Sequence, residues 1–144
     1  MNAAVDIAVS TVMRVMPENV TPLWPQVEPL LAPELAMTRT HTTDDVRRVI
    51  MSGLAHLWIQ YSDRVEAVAV TEFVNYPLGL SLRVWLGGAS SDVRMKRHEF
   101  RDVTGRFAAL NGCKWLEACG RHGWMKVFPE SEYTGVLMRI EVAP

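Results

Sequence analysis

The sequence has few cysteines, no long apolar run and almost no net charge, and each shortage excludes a class of protein. Only two of its 144 residues are cysteines, which excludes a disulfide-rich scaffold and fits a reducing compartment. No apolar run reaches the roughly 20 residues that a transmembrane helix needs, so we expect no membrane partner. With 15 basic and 16 acidic residues, the net charge of -1 makes nucleic acid an unlikely partner.

What the chain does have is an ordinary globular composition. Hydrophobic residues make up 49% of it and charged residues 22%, which is enough to build a core without disulfides or metals. We therefore expect residues 1–144 to form a single domain. The first ten residues lack the basic start and the apolar stretch of a signal peptide, so a cytoplasmic location is predicted.

The first third of the chain predicts one strand followed by short helices. Ser10–Met16 is apolar and β-branched, as a strand is. Prolines follow at positions 22, 25, 29 and 33, and because each removes an amide donor, we expect one or two short helices and not a long one. Their inward side chains are predicted to be Leu23, Trp24, Val27, Leu30 and Leu31. Thr42–Asp45 then caps a helix that ends at Gly53.

The rest of the chain predicts a sheet with one crossover. Three strands joined by short turns form an antiparallel meander over His56–Tyr61, Val65–Val74 and Leu80–Leu86. A helix over Asp92–Leu110 then leads to a strand over Lys114–Cys119, which the crossover predicts to be parallel to Leu80–Leu86. A turn or helical stub over Gly120–Val127 and a closing strand over Glu132–Val142 complete the chain. The fold class is therefore α/β (α+β): a mixed, mostly antiparallel sheet flanked by helices.

This order of elements resembles that of GNAT-type N-acetyltransferases. The tail from Asn111 to Val142, with its Gly123-Trp124 pair, is similar to the end of such a fold. It is also similar to small acetyltransferase-like proteins of tailed bacteriophages, some of which are internal virion proteins. The resemblance implies a GNAT-like fold and acetyl-CoA as the cofactor if the protein is active, with the virion as a second location if it is phage-encoded.

The expected coenzyme site departs from the family pattern. The family carries Q/R-x-x-G-x-G/A before the long helix, and its amides hold the coenzyme pyrophosphate. The resemblance places Gly87 and Gly88 there, but without that spacing. Asp92 is expected at the helix start, where it would occupy the amides itself, while Arg94 and Arg97 would offset its charge. The cofactor-binding candidates are therefore Gly87, Gly88, Arg94 and Arg97.

The resemblance also implies two catalytic candidates. Glu72 lies where the family often places its general base, and the alternative is a solvated residue on a half-exposed strand. Tyr133 lies near the usual general acid, and the alternative is an aromatic residue at a strand end with its hydroxyl in water.

Cys113 and Cys119 are predicted to be reduced and without metal, and no metal site is predicted elsewhere.

The tryptophans divide into core and interface candidates. Trp58, Trp85 and Trp115 fall within strands and are predicted to be core. Trp24 and Trp124 stand beside prolines and glycines and, with Arg121, are candidates for an interface.

Three functions stay open at this point. The first is a non-catalytic or weakly catalytic acetyltransferase-fold protein, phage-encoded and bound to other protein subunits of an assembly such as a virion. The alternative is an active N-acetyltransferase that moves acetyl from acetyl-CoA to an amine. The third is an RNA-binding adaptor that uses the basic residues of the long helix: Arg94, Lys96, Arg97, His98, Arg101 and Arg106.

Overall fold

The computed structural model describes residues 9–119, 128–135 and 138–143. Five strands and three helices follow one another there: β1 (Thr11–Val15), α1 (Pro17–Thr38), α2 (Thr43–Met51), β2 (Ala55–Tyr61), β3 (Val65–Tyr76), β4 (Gly79–Ala89), α3 (Arg97–Leu110) and β5 (Cys113–Ala118).

The sheet has the predicted topology. Its strands lie in the order β1-β2-β3-β4-β5, so that neighbours in sequence are neighbours in space. β1 to β4 pair antiparallel, and β4 and β5 pair parallel across the α3 crossover. The mixed sheet flanked by helices is thus confirmed.

Helix α1 corrects the proline argument, because it runs unbroken for 22 residues through all four prolines. Those prolines lie on one exposed stripe, while the buried stripe is Val20, Trp24, Val27, Leu31 and Leu35. The carbonyls that lose their helical partners belong to residues 18, 21, 25 and 29, which are also exposed. Water can satisfy those carbonyls, so the lost hydrogen bonds cost less than they would inside a core.

Helix α2 begins where the sequence predicts. The Thr42 hydroxyl accepts the Asp45 amide at 3.1 Å, and the Asp45 carboxylate accepts the Thr42 amide at 2.9 Å. This reciprocal capping box satisfies two amides that a helix start otherwise leaves unpaired. The chain leaves the helix through Gly53, whose φ of +82° favours glycine.

The helices cover both faces of the sheet. One core joins the buried side chains of α1 and α2 to Leu57 and Ile59 of β2 and to Val68 and Val70 of β3. The intervening strand residues point to the opposite face. There Trp58 packs against Phe100, Val103 and Phe107 of α3. In the part of the chain that the structure describes, no helix combines the length and apolar character that crossing a bilayer requires.

Three boundaries differ from the predicted ones. β4 continues to Ala89 and takes in both glycines of the expected phosphate loop. α3 begins at Arg97, five residues after Asp92. The described parts of Glu132–Val142 form no strand, so the predicted closing strand is wrong there. The predicted stub over Gly120–Val127 lies outside the described residues.

Candidate functional site

The sheet opens where β4 passes Val84. Thr71 and Val70 of β3 pair with Val84 and Leu86, so Trp85 is an extra residue on β4 and forms a β-bulge. The pairing between β4 and β5 ends at the same point, with Val84 opposite Ala118. Because a bulge bends its strand, the second half of β4 lacks a partner on that side among the described residues. The two parallel strands therefore part at this end.

A cleft of about 2800 Å³ occupies this opening. One wall is β4 and the other is β5, while residues along α3 from Arg97 to Ala109 and the segment 128–135 complete the lining. The cleft brings together five of the site residues predicted from the sequence: Gly87, Gly88, Arg94, Arg97 and Tyr133. It does not reach Glu72.

The start of α3 supplies an anion-binding end to this cleft. Lys96 is the residue before the helix, and no side chain caps the first-turn amides. Arg94 and Arg97 are both exposed and line the cleft beside this end. Uncapped amides at the positive end of a helix dipole, next to guanidinium groups, attract phosphate.

The two glycines do not form a phosphate loop. Both lie within β4, and Gly88 faces the backbone of α1, where a Cβ atom would stand 1.9 Å from the Leu30 carbonyl oxygen. A Cβ on Gly87 would meet the Val68 carbonyl oxygen at an ordinary 3.5 Å. Gly88 thus lets α1 approach the sheet, and the cradle expected from the two glycines is wrong.

Glu34 of α1 is the site residue that the sequence argument missed. One of its carboxylate oxygens accepts the Gly87 amide at 2.6 Å. The Gly87 amide therefore bonds to a side chain of α1 and not to β3, and it lies at the open edge of β4. Desolvation raises the pKa of Glu34, and the Gly87 hydrogen bond opposes the rise only in part. The cleft therefore holds a half-buried carboxyl group whose pKa is raised by burial.

Asp92 does not cap the helix, which overturns its expected role. Its carboxylate lies 2.8 Å from the Arg64 guanidinium and also accepts the Ser90 hydroxyl. The hydrogen bond from Ser90 contributes most to lowering the pKa of Asp92, and Arg64 adds to it. The carboxylate is thus committed to the turn before the helix and does not cap the first amides of α3, of which the Arg97 N–H donates to the Met95 carbonyl at 3.0 Å.

Glu72 does not line the cleft, but it belongs to a cluster whose other members, Tyr76, Arg83 and Glu117, do. Its carboxylate is 3.7 Å from Arg83, whose guanidinium also contacts Glu117 at 3.2 Å. The Tyr76 hydroxyl donates to Glu117 at 2.9 Å and accepts from Arg83 at 3.2 Å. Glu72 is thus neither a cleft residue nor simply solvated; it is part of an ion-pair network across β3, β4 and β5. Tyr133 does line the cleft and is 45% exposed.

The structure confirms some of the tryptophan predictions and contradicts others. Trp24 is buried at 6% exposure and donates its indole N–H to Glu28, so its interface role is wrong. It faces the sheet because it falls on the buried stripe of α1. Trp58 is core as predicted, whereas Trp115 is 38% exposed on β5. Trp124 and Arg121 lie outside the described residues.

The thiols and the metal prediction concern residues around β5. Cys113 begins that strand and Cys119 follows it, and each has a free thiol. Burial raises the pKa of the Cys113 thiol, which disfavours the reactive thiolate. In the described ranges no three His, Cys, Asp or Glu side chains group as metal ligands would.

Comparison with known proteins identifies the fold. No family model matches the sequence, and no curated protein matches it. Solved structures do match. An aminoglycoside acetyltransferase from an uncultured soil metagenomic sample superposes with a TM-score of 0.73 at 8% identity, over 93% of this chain and 97% of that one.

Two further structures agree. A ribosomal-protein-alanine N-acetyltransferase from Brucella melitensis biovar Abortus 2308 gives a TM-score of 0.67 at 12% identity, over 92% of this chain and 100% of that one. A predicted acetyltransferase from Clostridium acetobutylicum, solved with acetyl-CoA, gives 0.65 at 10% identity, over 94% and 96%. At such identities the likeness shows the fold alone.

Proposed function

The chain has the GNAT acetyltransferase fold, and we propose that it is an N-acetyltransferase that takes acetyl-CoA as donor and an amine as acceptor. The observation that carries this proposal is the cleft. A bulge at Trp85 parts β4 from β5, and the opening leads to the uncapped start of α3. A neighbour with the same fold holds acetyl-CoA, which supports the coenzyme assignment.

The two ends of the cleft suit the two ends of the coenzyme. The phosphates would lie at the start of α3, where amides and the side chains of Arg94 and Arg97 supply positive charge. The thioester arm would extend along the open edge of β4 toward Gly87, since a flat amide chain can bond to an unpaired strand edge.

Glu34 is the proposed proton acceptor, in place of Glu72. Its carboxyl group lines the cleft and touches the Gly87 amide, whereas Glu72 is bound by Arg83. The acceptor ammonium would give a proton to Glu34, and the amine nitrogen would form a bond to the thioester carbon. The C–S bond then breaks and the nitrogen loses its second proton. The thiolate takes a proton from Tyr133, the candidate donor, and the proton from the nitrogen restores the Tyr133 hydroxyl.

The raised pKa of Glu34 suits this task. A carboxyl group with an ordinary pKa holds a proton poorly near neutral pH, and desolvation strengthens its basicity. When Glu34 takes the proton of the amine, its hydrogen bond to the Gly87 amide weakens, because that bond favours the ionised carboxylate. That amide would then be available to the thioester oxygen, on which negative charge develops.

A calorimetric titration with coenzyme A tests the binding half of the proposal. The wild-type chain is expected to bind at micromolar concentrations. Replacing Arg94 and Arg97 together by alanine should weaken binding at least tenfold, because two phosphate contacts are lost. Arg48→Ala is the matched control, since it removes an exposed arginine that pairs with Asp44 on α2, outside the cleft. Equal affinity in all three proteins would refute the assignment of the anion-binding end.

A second candidate, a non-catalytic protein of the same fold, rests on a specific observation. When the family pattern Q/R-x-x-G-x-G/A is aligned to begin at Arg94, its two small residues fall at positions 97 and 99. This sequence has Arg97 and Glu99 there. Glu34 also occupies the amide nearest the thioester position. In this case the chain works through other protein subunits, and its phage origin and virion role stay predictions. No binding at millimolar coenzyme would favour this candidate.

A further inference from the structure

The segment that forms the anion-binding end of the cleft is held by one buried glutamine. Gln60 lies on β2, facing α3, and is 1% exposed. Its carbonyl oxygen accepts the Lys96 amide at 2.8 Å, and its amide nitrogen lies 3.3 Å from the Arg94 carbonyl oxygen. One side chain therefore contacts the backbone of the cleft segment at two points, two residues apart, immediately before α3.

The orientation of this amide is itself fixed. Its nitrogen also lies 3.4 Å from the Glu66 carboxylate, which accepts the Ser10 hydroxyl at 2.5 Å. The Lys96 ammonium in turn donates to the Ser10 carbonyl at 3.0 Å. Because the Glu66 carboxylate can only accept, the Gln60 amide must present its nitrogen to that side and its oxygen to Lys96.

The other end of the segment is tied more weakly. The Arg64–Asp92 ion pair is partly exposed, at 45% and 65% of the two side chains, and such pairs contribute little. Removing the buried amide would leave the Lys96 N–H without a partner, which costs more than losing an exposed pair. The path of the chain from Arg94 to Arg97 is therefore fixed by Gln60, together with the Lys96 ammonium on the Ser10 carbonyl and the packing of Met95 against the core cluster that contains Trp58 and Phe100.

We propose that Gln60 is a positioning residue: it holds the segment from Arg94 to Arg97 in the shape that presents its arginines and the first amides of α3 to an anion in the cleft. Gln60 itself, being buried on β2, does not touch the anion. This inference rests on the proposed function for the identity of the anion, the phosphates of coenzyme A. The hydrogen bonds that carry it are independent of that identity.

Two variants separate the roles of the amide. Gln60→Leu removes both contacts at similar volume. Gln60→Glu keeps an acceptor for the Lys96 amide, but it cannot donate to the Arg94 carbonyl and it places a second carboxylate beside Glu66. Gln26→Leu is the matched control, because the side-chain oxygen of Gln26 also accepts a backbone amide, that of Val65 at 2.9 Å, but outside the cleft.

The experiment combines amide hydrogen exchange with ligand titration. In Gln60→Leu, the Lys96 amide should exchange at least tenfold faster, while the amides of β3 keep their protection. Coenzyme A should bind at least tenfold more weakly, whereas pantetheine, which carries no phosphate, should bind within twofold of wild type. Gln60→Glu should fall between wild type and Gln60→Leu, and Gln26→Leu should match wild type within twofold on both readouts.

The outcomes distinguish this inference from the proposed function. An unchanged Lys96 exchange rate, or equal weakening of coenzyme A and pantetheine, would overturn the positioning role, since general destabilisation affects both ligands alike. If the wild-type chain binds neither ligand, the proposed function and the anion assignment fail. The exchange rates then decide alone whether Gln60 holds the segment.

Discussion

The sharpest stability prediction concerns His56, a buried histidine beneath α3. The side chain is 4% exposed, and its ring centroid lies 4.8 Å from those of both Phe73 and Phe107. Its Nδ1 is 2.9 Å from the Thr71 hydroxyl, which also accepts the Trp58 indole N–H. The Thr71 hydroxyl can give its own proton to Nδ1, so the site suits a neutral imidazole.

The magnitude follows from the pKa. Desolvation, aided by the Arg14 guanidinium, lowers the pKa of His56 from 6.5 to about 4. At about 1.4 kcal/mol for each pH unit of difference, acidification to the folded-state pKa lowers the free energy of unfolding by about 3 kcal/mol through this ring. The unfolded chain binds a proton below pH 6.5 while the folded chain does not until about pH 4. This stability is therefore complete above pH 6.5 and is lost as the pH falls toward 4.

Urea unfolding measured from pH 7.5 to pH 4 tests this account. His56→Gln is expected to be less stable at pH 7.5, because the ring packing is lost, but its unfolding free energy should fall by up to about 3 kcal/mol less than that of wild type on acidification. His41→Gln, at an exposed position, is the matched control for loss of a histidine. Parallel curves for His56→Gln and wild type, or an NMR titration of His56 near pH 6.5, would refute the reasoning.

Three further changes have expected outcomes that unfolding measurements check. Gly88→Ala should cost about 1–3 kcal/mol because its methyl group meets the Leu30 carbonyl, while the neighbouring control Gly87→Ala should be near neutral; equal effects would contradict the close approach of α1. Pro29→Ala should stabilise the chain by about 1–2 kcal/mol, since it restores an amide donor on the solvent side of α1, and a loss of stability would contradict that placement. Glu34→Ala should cost about 1.5–3 kcal/mol by leaving the Gly87 amide without its acceptor, whereas Glu34→Gln keeps one. Because the pKa of Glu34 is raised, wild type should lose stability as the pH rises above 4.5 and Glu34→Gln should lack that loss; the opposite slope would show that the ionised form is favoured.

Local signals made much of the fold predictable. The α2 cap depends on Thr42 and Asp45, which are three residues apart, and the meander depends on short turns between apolar strands. The α1 prediction failed because the proline rule weighs each proline alone. The spacing of the prolines already places them on one stripe, and burial of the opposite stripe stabilises the helix as a whole.

The site was less predictable because its contacts are distant in sequence. Glu34 meets the Gly87 amide across 53 residues, and because it is one of three glutamates in a proline-rich helix, no local signal distinguished it. The start of α3 moved from Asp92 to Arg97 because Gln60, 36 residues before Lys96, takes the Lys96 amide, while Arg64 takes the Asp92 carboxylate. A helix-capping prediction uses only neighbouring residues, so it cannot include the distant partners Gln60 and Arg64.

The most direct test of the central claim is an NMR titration of the labelled chain with coenzyme A. The account predicts that backbone amide shifts concentrate at Gly87 on the open edge of β4 and over Arg94–Arg97 before α3, with saturation at micromolar coenzyme. The amides of α2 should stay unchanged, because that helix lies outside the cleft. An absence of shifts at millimolar coenzyme, or shifts confined to residues outside the cleft, would contradict the account.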